Sequence, residues 1–173
     1  MSTTLQRTLF IVVALAALAG GVLVGQHKNT PSPPAANATQ QLAALTLPDL
    51  EGKPQPLAQW RGKKWVVNFW ATWCTPCREE MPMLASLAKQ YGSEVQFLGI
   101  GIDEAAEMAK FARETPVPYP LLVGGNDIIE LTSKLGNQAM ALPFTVVLDE
   151  SGKVLGQHMG KVSEEQIKGM LSR

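Results

Sequence analysis

The sequence predicts an α/β domain, a mixed sheet with helices on both faces. Three observations carry that prediction. Strand-like and helix-like patterns alternate from residue 45 to the C-terminus, as expected where helices pack on a sheet. The run Trp65-Val66-Val67-Asn68-Phe69-Trp70 is almost continuously apolar, as for a strand covered on both faces. That strand leads through a short turn into a helix, and the chain's only two cysteines, Cys74 and Cys77, stand at the junction.

A chain of 173 residues leaves room for one domain once the tails are removed. Residues 1–25 read as a targeting segment. Residues 9–24 form an uncharged, mostly apolar run after Arg7, at the short edge for a membrane span of ~20 residues. Ala17-Leu18-Ala19 fits a small-x-small cleavage pattern. The run continues past it through Val22-Leu23-Val24, which favours an uncleaved single-pass anchor over a removed signal peptide. Residues 26–41, QHKNTPSPPAANATQQ, have almost no large apolar side chains and read as a flexible Pro-rich linker. The globular domain is assigned to 42–173. Over the whole chain 15 basic and 15 acidic residues balance, and no clustered basic face points to nucleic acid.

Within the domain, Leu45 to Asp49 with the Gly52-Lys53-Pro54 turn reads as a short strand and its turn. The central strand follows, over 65–70. A helix spans 76–91 and ends at Gly92, with Pro82 inside it as a kink. A strand covers 94–102. Asp103 is placed to cap a helix through residue 113. Pro116, Pro118 and Pro120 break the chain before a brief strand at 121–123. A helix follows over 127–135, closed by Gly136. Residues 145–148 and 153–158 pair across an Asp149-Glu150-Ser151-Gly152 hairpin turn. Ser163 and Gln166 form a capping box for the last helix, to Leu171.

A Cys-x-x-Cys pair where a strand enters a helix is a redox candidate. The first backbone N–H groups of a helix lack intrahelical partners, and the helix dipole adds partial positive charge there. Both favour a thiolate, which can bring a thiol from ~8.5 down to roughly 3.5–7.5. Cys74, at the helix start, is the expected nucleophile. Cys77, one turn in, is the expected resolving thiol. Zinc needs about four ligands, and His27 and His158 are distant and unpaired. Haem attachment needs histidine where Arg78 stands. An inert disulfide would close a tiny loop and stabilise little. No metal or cofactor is expected.

The run from Asn68 to Pro82, with Trp73-Cys74-Thr75-Pro76-Cys77 at its heart, resembles the active-site signature of the thioredoxin superfamily. More narrowly it is similar to the membrane-tethered TlpA/ResA/CcmG-type thiol-disulfide oxidoreductases. Matches extend from about Leu45 to Leu171 and include Leu47-Pro48-Asp49-Leu50, Trp60-Arg61-Gly62-Lys63 and Ala141-Leu142-Pro143-Phe144-Thr145. The resemblance implies a thioredoxin fold with an N-terminal β extension and a TlpA-type central insertion between residues 103 and 140. It implies that Pro143 is cis and faces the disulfide, where the Leu142 backbone can pair with a bound polypeptide. Trp73, Thr75 and Pro76 complete the implied substrate-contacting set, with Trp73 shielding the disulfide.

Glu80 lies three residues past Cys77, on the same helix face. A glutamate at the matching position lies near the buried thiol in ResA-like proteins. Half-buried between apolar neighbours, its pKa should rise, and it could accept the proton of Cys77. Asn68 stands where typical thioredoxins carry a buried aspartate, and an amide cannot take up a proton.

The expected function is a thiol-disulfide oxidoreductase outside the cytoplasmic membrane. Cys74 forms the mixed disulfide and Cys77 resolves it. The family resemblance implies reduction of protein disulfides, with apocytochrome c a frequent substrate and a membrane reductase of the DsbD/CcdA type as electron donor. A monomer is expected. Two other classes remain open. A peroxiredoxin-like peroxidase would need Thr-x-x-Cys, but Ala71 precedes Cys74 by three. A non-enzymatic partner-binding module would lack an exchangeable disulfide.

Overall fold

A computed structural model describes residues 34–173. The expected anchor and the linker as far as residue 33 lie outside the described residues. Among the described residues no helix is long and apolar enough to cross a membrane.

The described chain opens with helix α1 (Pro34–Ala44), which corrects the linker reading for residues 34–41. Its polar composition hides an i, i+4 apolar pair. Ala38 and Leu42 are both buried, and burial rather than propensity holds a short helix in place. A small hairpin follows, β1 (Thr46–Pro48) against β2 (Pro54–Pro56), then a 3₁₀ turn at Leu57–Trp60. An isolated antiparallel bridge between Asp49 and Leu122 joins this extension to the main sheet.

The core is a five-stranded mixed sheet in the order β5-β4-β3-β6-β7. Its strands are β3 (Lys64–Trp70), β4 (Val95–Ile102), β5 (Leu121–Gly124), β6 (Phe144–Leu148) and β7 (Val154–Met159). β3, β4 and β5 run parallel, while β6 and β7 pair antiparallel. β3 is central, and six of its seven residues are buried, which explains the almost continuous apolar run, broken only by Asn68.

Helix α2 (Thr75–Tyr91) runs unbroken through Pro82. It packs with α3 (Ala105–Glu114) and α5 (Glu164–Leu171) on one face of the sheet, where Met81, Leu84, Leu87, Met108 and Ile167 share one cluster. α1 and α4 (Asn126–Lys134) cover the other face through Leu42, Ile128 and Leu131. Each such buried aliphatic side chain contributes roughly 1.5–3 kcal/mol. The capping box on α5 is present.

Two turns share the pattern Asp-x-x-Gly-Lys. Asp49 accepts from the amides of Glu51 and Lys53, and Asp149 from those of Ser151 and Lys153. Gly52 and Gly152 take φ of 80° and 85°, a left-handed conformation that glycine adopts without steric cost. Asp103 does not cap α3, contrary to expectation. Glu104 holds the cap position without a side-chain hydrogen bond, and Asp103 is committed elsewhere.

Candidate active site

The site lies where β3 ends and α2 begins. Cys74 is the N-cap of α2, in extended conformation, and Pro76 occupies the first turn, where a missing N–H costs nothing. Cys74 and Cys77 form a disulfide with Cα atoms 5.3 Å apart. The Cys77 amide donates to Cys74 Sγ at 3.3 Å. Of the helix-start amides, that of Cys77 faces the outer sulfur, while that of Arg78 donates to the Cys74 carbonyl. Cys77 has no exposed surface and Cys74 is 5% exposed. Thr75 and Pro76 are exposed. Trp73 is 68% exposed and projects into solvent beside the disulfide.

The loop before Cys74 is tied down from the next strand. Asp103 Oδ2, just past β4, accepts from the Thr72 amide at 2.9 Å and from the Thr72 hydroxyl. Its Oδ1 accepts from the Glu104 amide. Partial burial works to raise the Asp103 pKa, but the Thr72 and Glu104 hydrogen bonds outweigh it and hold the carboxyl below its usual range. Sequence reasoning missed this clamp, because its partners lie 31 residues apart.

Glu80 is 1% exposed, fully rather than half buried. Asn68 Nδ2 donates to its Oε1 at 2.7 Å, and the Val162 amide donates to its Oε2 at 2.8 Å. Desolvation pushes the Glu80 pKa from an ordinary 4.5 up to about 7, against those two hydrogen bonds and the nearby Lys161 charge. Its neighbour Glu79 is exposed and pairs with Lys161 at 2.8 Å, which holds it low. The two adjacent glutamates thus have opposite environments, a separation typical of functional carboxylates.

The Leu142–Pro143 bond is cis, and Pro143 leads directly into β6. Phe144 pairs with Phe69 of β3, which puts the Pro143 loop at the same end of the sheet as Cys74. The loop is gripped by buried Asn137, whose Nδ2 donates to the Ala141 carbonyl and whose Oδ1 accepts from the Ala141 amide. Nothing in the local sequence marks Asn137. Met140 and Met159 are 59% and 49% exposed. Met159 pairs with Phe144, so it shares that end with Trp73. No cluster of three or more His, Cys, Asp or Glu among the described residues is placed to hold a metal ion.

Fold and site define a thioredoxin-fold protein with a disulfide at a helix N-terminus, a thiol-disulfide oxidoreductase. The redoxin family profile matches residues 33–171, and the chain belongs to that family. It is 31% identical to the thioredoxin-like protein YneN of Bacillus subtilis over 136 residues, 76% of this chain and 77% of that protein. It is 31% identical to the thiol-disulfide oxidoreductase ResA of Geobacillus thermodenitrificans over 164 residues, covering 94% of this chain and 90% of that one. A thioredoxin-related protein from Neisseria meningitidis superposes with a TM-score of 0.64 at 32% identity, over 73% of this chain and 99% of that one. A thiol:disulfide interchange protein from Chlorobium tepidum superposes with a TM-score of 0.66 at 26% identity, over 74% of this chain and 90% of that one.

Proposed function

We propose that this protein reduces protein disulfides outside the cytoplasm, with Cys74 as nucleophile, Cys77 as resolving thiol and Glu80 as the base that deprotonates Cys77. The observation that carries the reading is the pairing of a helix-capping sulfur with a fully buried carboxylate one turn past the second sulfur. In the reduced protein Cys74 is a thiolate. It attacks one sulfur of a substrate disulfide, forms a mixed disulfide and releases the other substrate sulfur as a thiolate. Cys77 passes its proton to Glu80 and attacks Cys74 Sγ. The second substrate sulfur leaves as a thiolate and the Cys74–Cys77 disulfide forms, so two electrons pass to the substrate.

The substrate lies against Trp73, Thr75 and Pro76 on one side and Leu142 and Pro143 on the other, with the Leu142 backbone pairing to an extended segment. The exposed Trp73, Met140 and Met159 support a partner presented as unfolded polypeptide. The apolar run at residues 9–24 supports export and a single-pass anchor, with the domain on the far side of the cytoplasmic membrane. The cysteine pairs of apocytochrome c, and a membrane reductase of the DsbD/CcdA type as donor, are the first partners to test.

The experiment is trapping in cells with Cys77→Ser. The variant should accumulate mixed disulfides with exported proteins, and Cys74→Ser should accumulate none. Capture that does not depend on Cys74 would sink the assignment.

A further inference from the structure

Met140 is the one non-glycine residue among the described residues with a positive φ, at 50°. A long side chain there crowds the backbone, so such positions go to glycine or asparagine unless the surroundings enforce them. The Met140 side chain is also 59% exposed, so packing into the core does little to offset the conformation. A lone exposed methionine needs no explanation. One held in a left-handed conformation does, because such strain persists where the surrounding structure imposes it, and it gathers at binding sites.

The surroundings that impose it are well defined. Asn137 is 1% exposed. Its Oδ1 accepts from the Ala141 amide at 3.1 Å, and its Nδ2 donates to the Ala141 carbonyl at 2.9 Å. Its own carbonyl accepts from the Met140 amide at 2.9 Å. Nδ2 also reaches the hydroxyl of buried Thr132 at 3.4 Å, and the Asn137 amide donates to the Thr132 carbonyl at 2.9 Å. Both amide hydrogens and the oxygen of one side chain are thus used. Residues 137–141 close into a ring fastened to α4, and Met140 is the large apolar side chain that this ring leaves in solvent.

The ring lies at the disulfide end of the sheet. Phe144 is opposite Phe69 in an antiparallel pair, so the chain before Phe144 and the chain after Phe69 leave the sheet together. Leu142 packs against the cluster that holds Ala71, Cys74 and Cys77, and the Cys74 amide donates to the Ala71 carbonyl at 3.2 Å. Met140 stands two residues from Leu142, a reach of roughly 7 Å. We propose that Met140 is a specificity-determining residue, contacting an apolar side chain next to the substrate cysteine and so favouring disulfides with apolar flanks. This deepens the proposed disulfide reduction and rests on it. A thioether is flexible and polarizable and accepts apolar groups of different shapes, so the selection is for a class of side chain and not for one sequence. Met159 carries no such argument, since it is an edge-strand residue paired regularly with Phe144.

The test uses the full-length protein, reduced with dithiothreitol and separated from it. Its single-turnover oxidation is followed with two peptides that differ only in the residues flanking one disulfide, leucine in one and serine in the other. Wild type should react about tenfold faster with the leucine peptide, as expected when part of a methionine and a leucine leave water. Met140→Leu should keep that ratio. Met140→Asn, which suits a left-handed backbone without the apolar group, should bring it below about threefold. Met140→Gly should lose the ratio likewise and withstand urea at least as well as wild type, because glycine takes this φ without steric cost. Equal rates in wild type, a ratio that survives Met140→Asn or is lost in Met140→Leu, or a Met140→Gly protein that unfolds at lower urea overturns the proposal. Failure of the underlying reading would look different: reduced wild-type protein would be oxidised by neither peptide.

Discussion

Asn68 Nδ2 donates to Glu80 Oε1 at 2.7 Å inside the core, and the same nitrogen donates to Thr145 Oγ1 at 3.1 Å. The central strand, its antiparallel neighbour and the helix that carries the disulfide thus meet at one amide. Asn68 cannot titrate; its amide holds the carboxylate in place.

Replacing Glu80 by Gln removes the proposed proton acceptor and keeps the shape. The resolution step, followed by stopped-flow release of thiol from a mixed disulfide, should slow by about 10²-fold at neutral pH. The wild-type rate should rise with pH around a midpoint near 7, set by the raised Glu80 pKa. That inflection should vanish in the Gln variant. A retained inflection would assign it to another group.

The same carboxylate predicts a pH dependence of stability. Its pKa is about 7 folded against an ordinary 4.5, so the unfolded chain releases this proton at lower pH than the folded one. The stabilising contribution is complete below pH 4.5 and is lost as pH rises through 7. A shift of this size corresponds to about 3 kcal/mol. Urea unfolding of the oxidised protein should show wild type losing stability relative to Glu80→Gln across that window. A flat difference would contradict the raised pKa.

The Asp103–Thr72 clamp predicts a coupled loss. Asp103→Ala leaves the Thr72 amide and hydroxyl without their acceptor, at a cost of about 1–3 kcal/mol. The attack of Cys74 on a substrate disulfide should slow as well, because the loop before it loosens. Unchanged exchange kinetics in a destabilised variant would confine the clamp to folding.

Trp73 is exposed, so Trp73→Ala should alter unfolding free energy by no more than about 0.5 kcal/mol. Turnover of unfolded protein disulfides should show a raised KM, with a small disulfide reagent unaffected. An equal effect on both substrates would remove Trp73 from the docking surface.

Much of the architecture was legible because it is local. The apolar run at 65–70, the Gly92 stop, the Asp149 turn and the Ser163–Gln166 box each carry their structure in a few adjacent residues. What escaped was non-local. α1 was hidden by proline, asparagine and glutamine, although Ala38 and Leu42 stand one turn apart. Asp103 has the residue type and place of a helix cap, and only the fold reveals Thr72 as its partner. The buried Glu80 carboxylate takes a hydrogen bond from the Val162 amide, 82 residues away, and its spacing from Cys77 could suggest only a shared helix face.

The account stands on unequal acidity of two neighbouring thiols. In the reduced protein, the rate of iodoacetamide alkylation at each cysteine, followed against pH by mass spectrometry, measures it directly. Cys74 should react with a midpoint within roughly 3.5–7.5, while buried Cys77 lags far behind. Two cysteines that alkylate alike, both with midpoints near ~8.5, would contradict it.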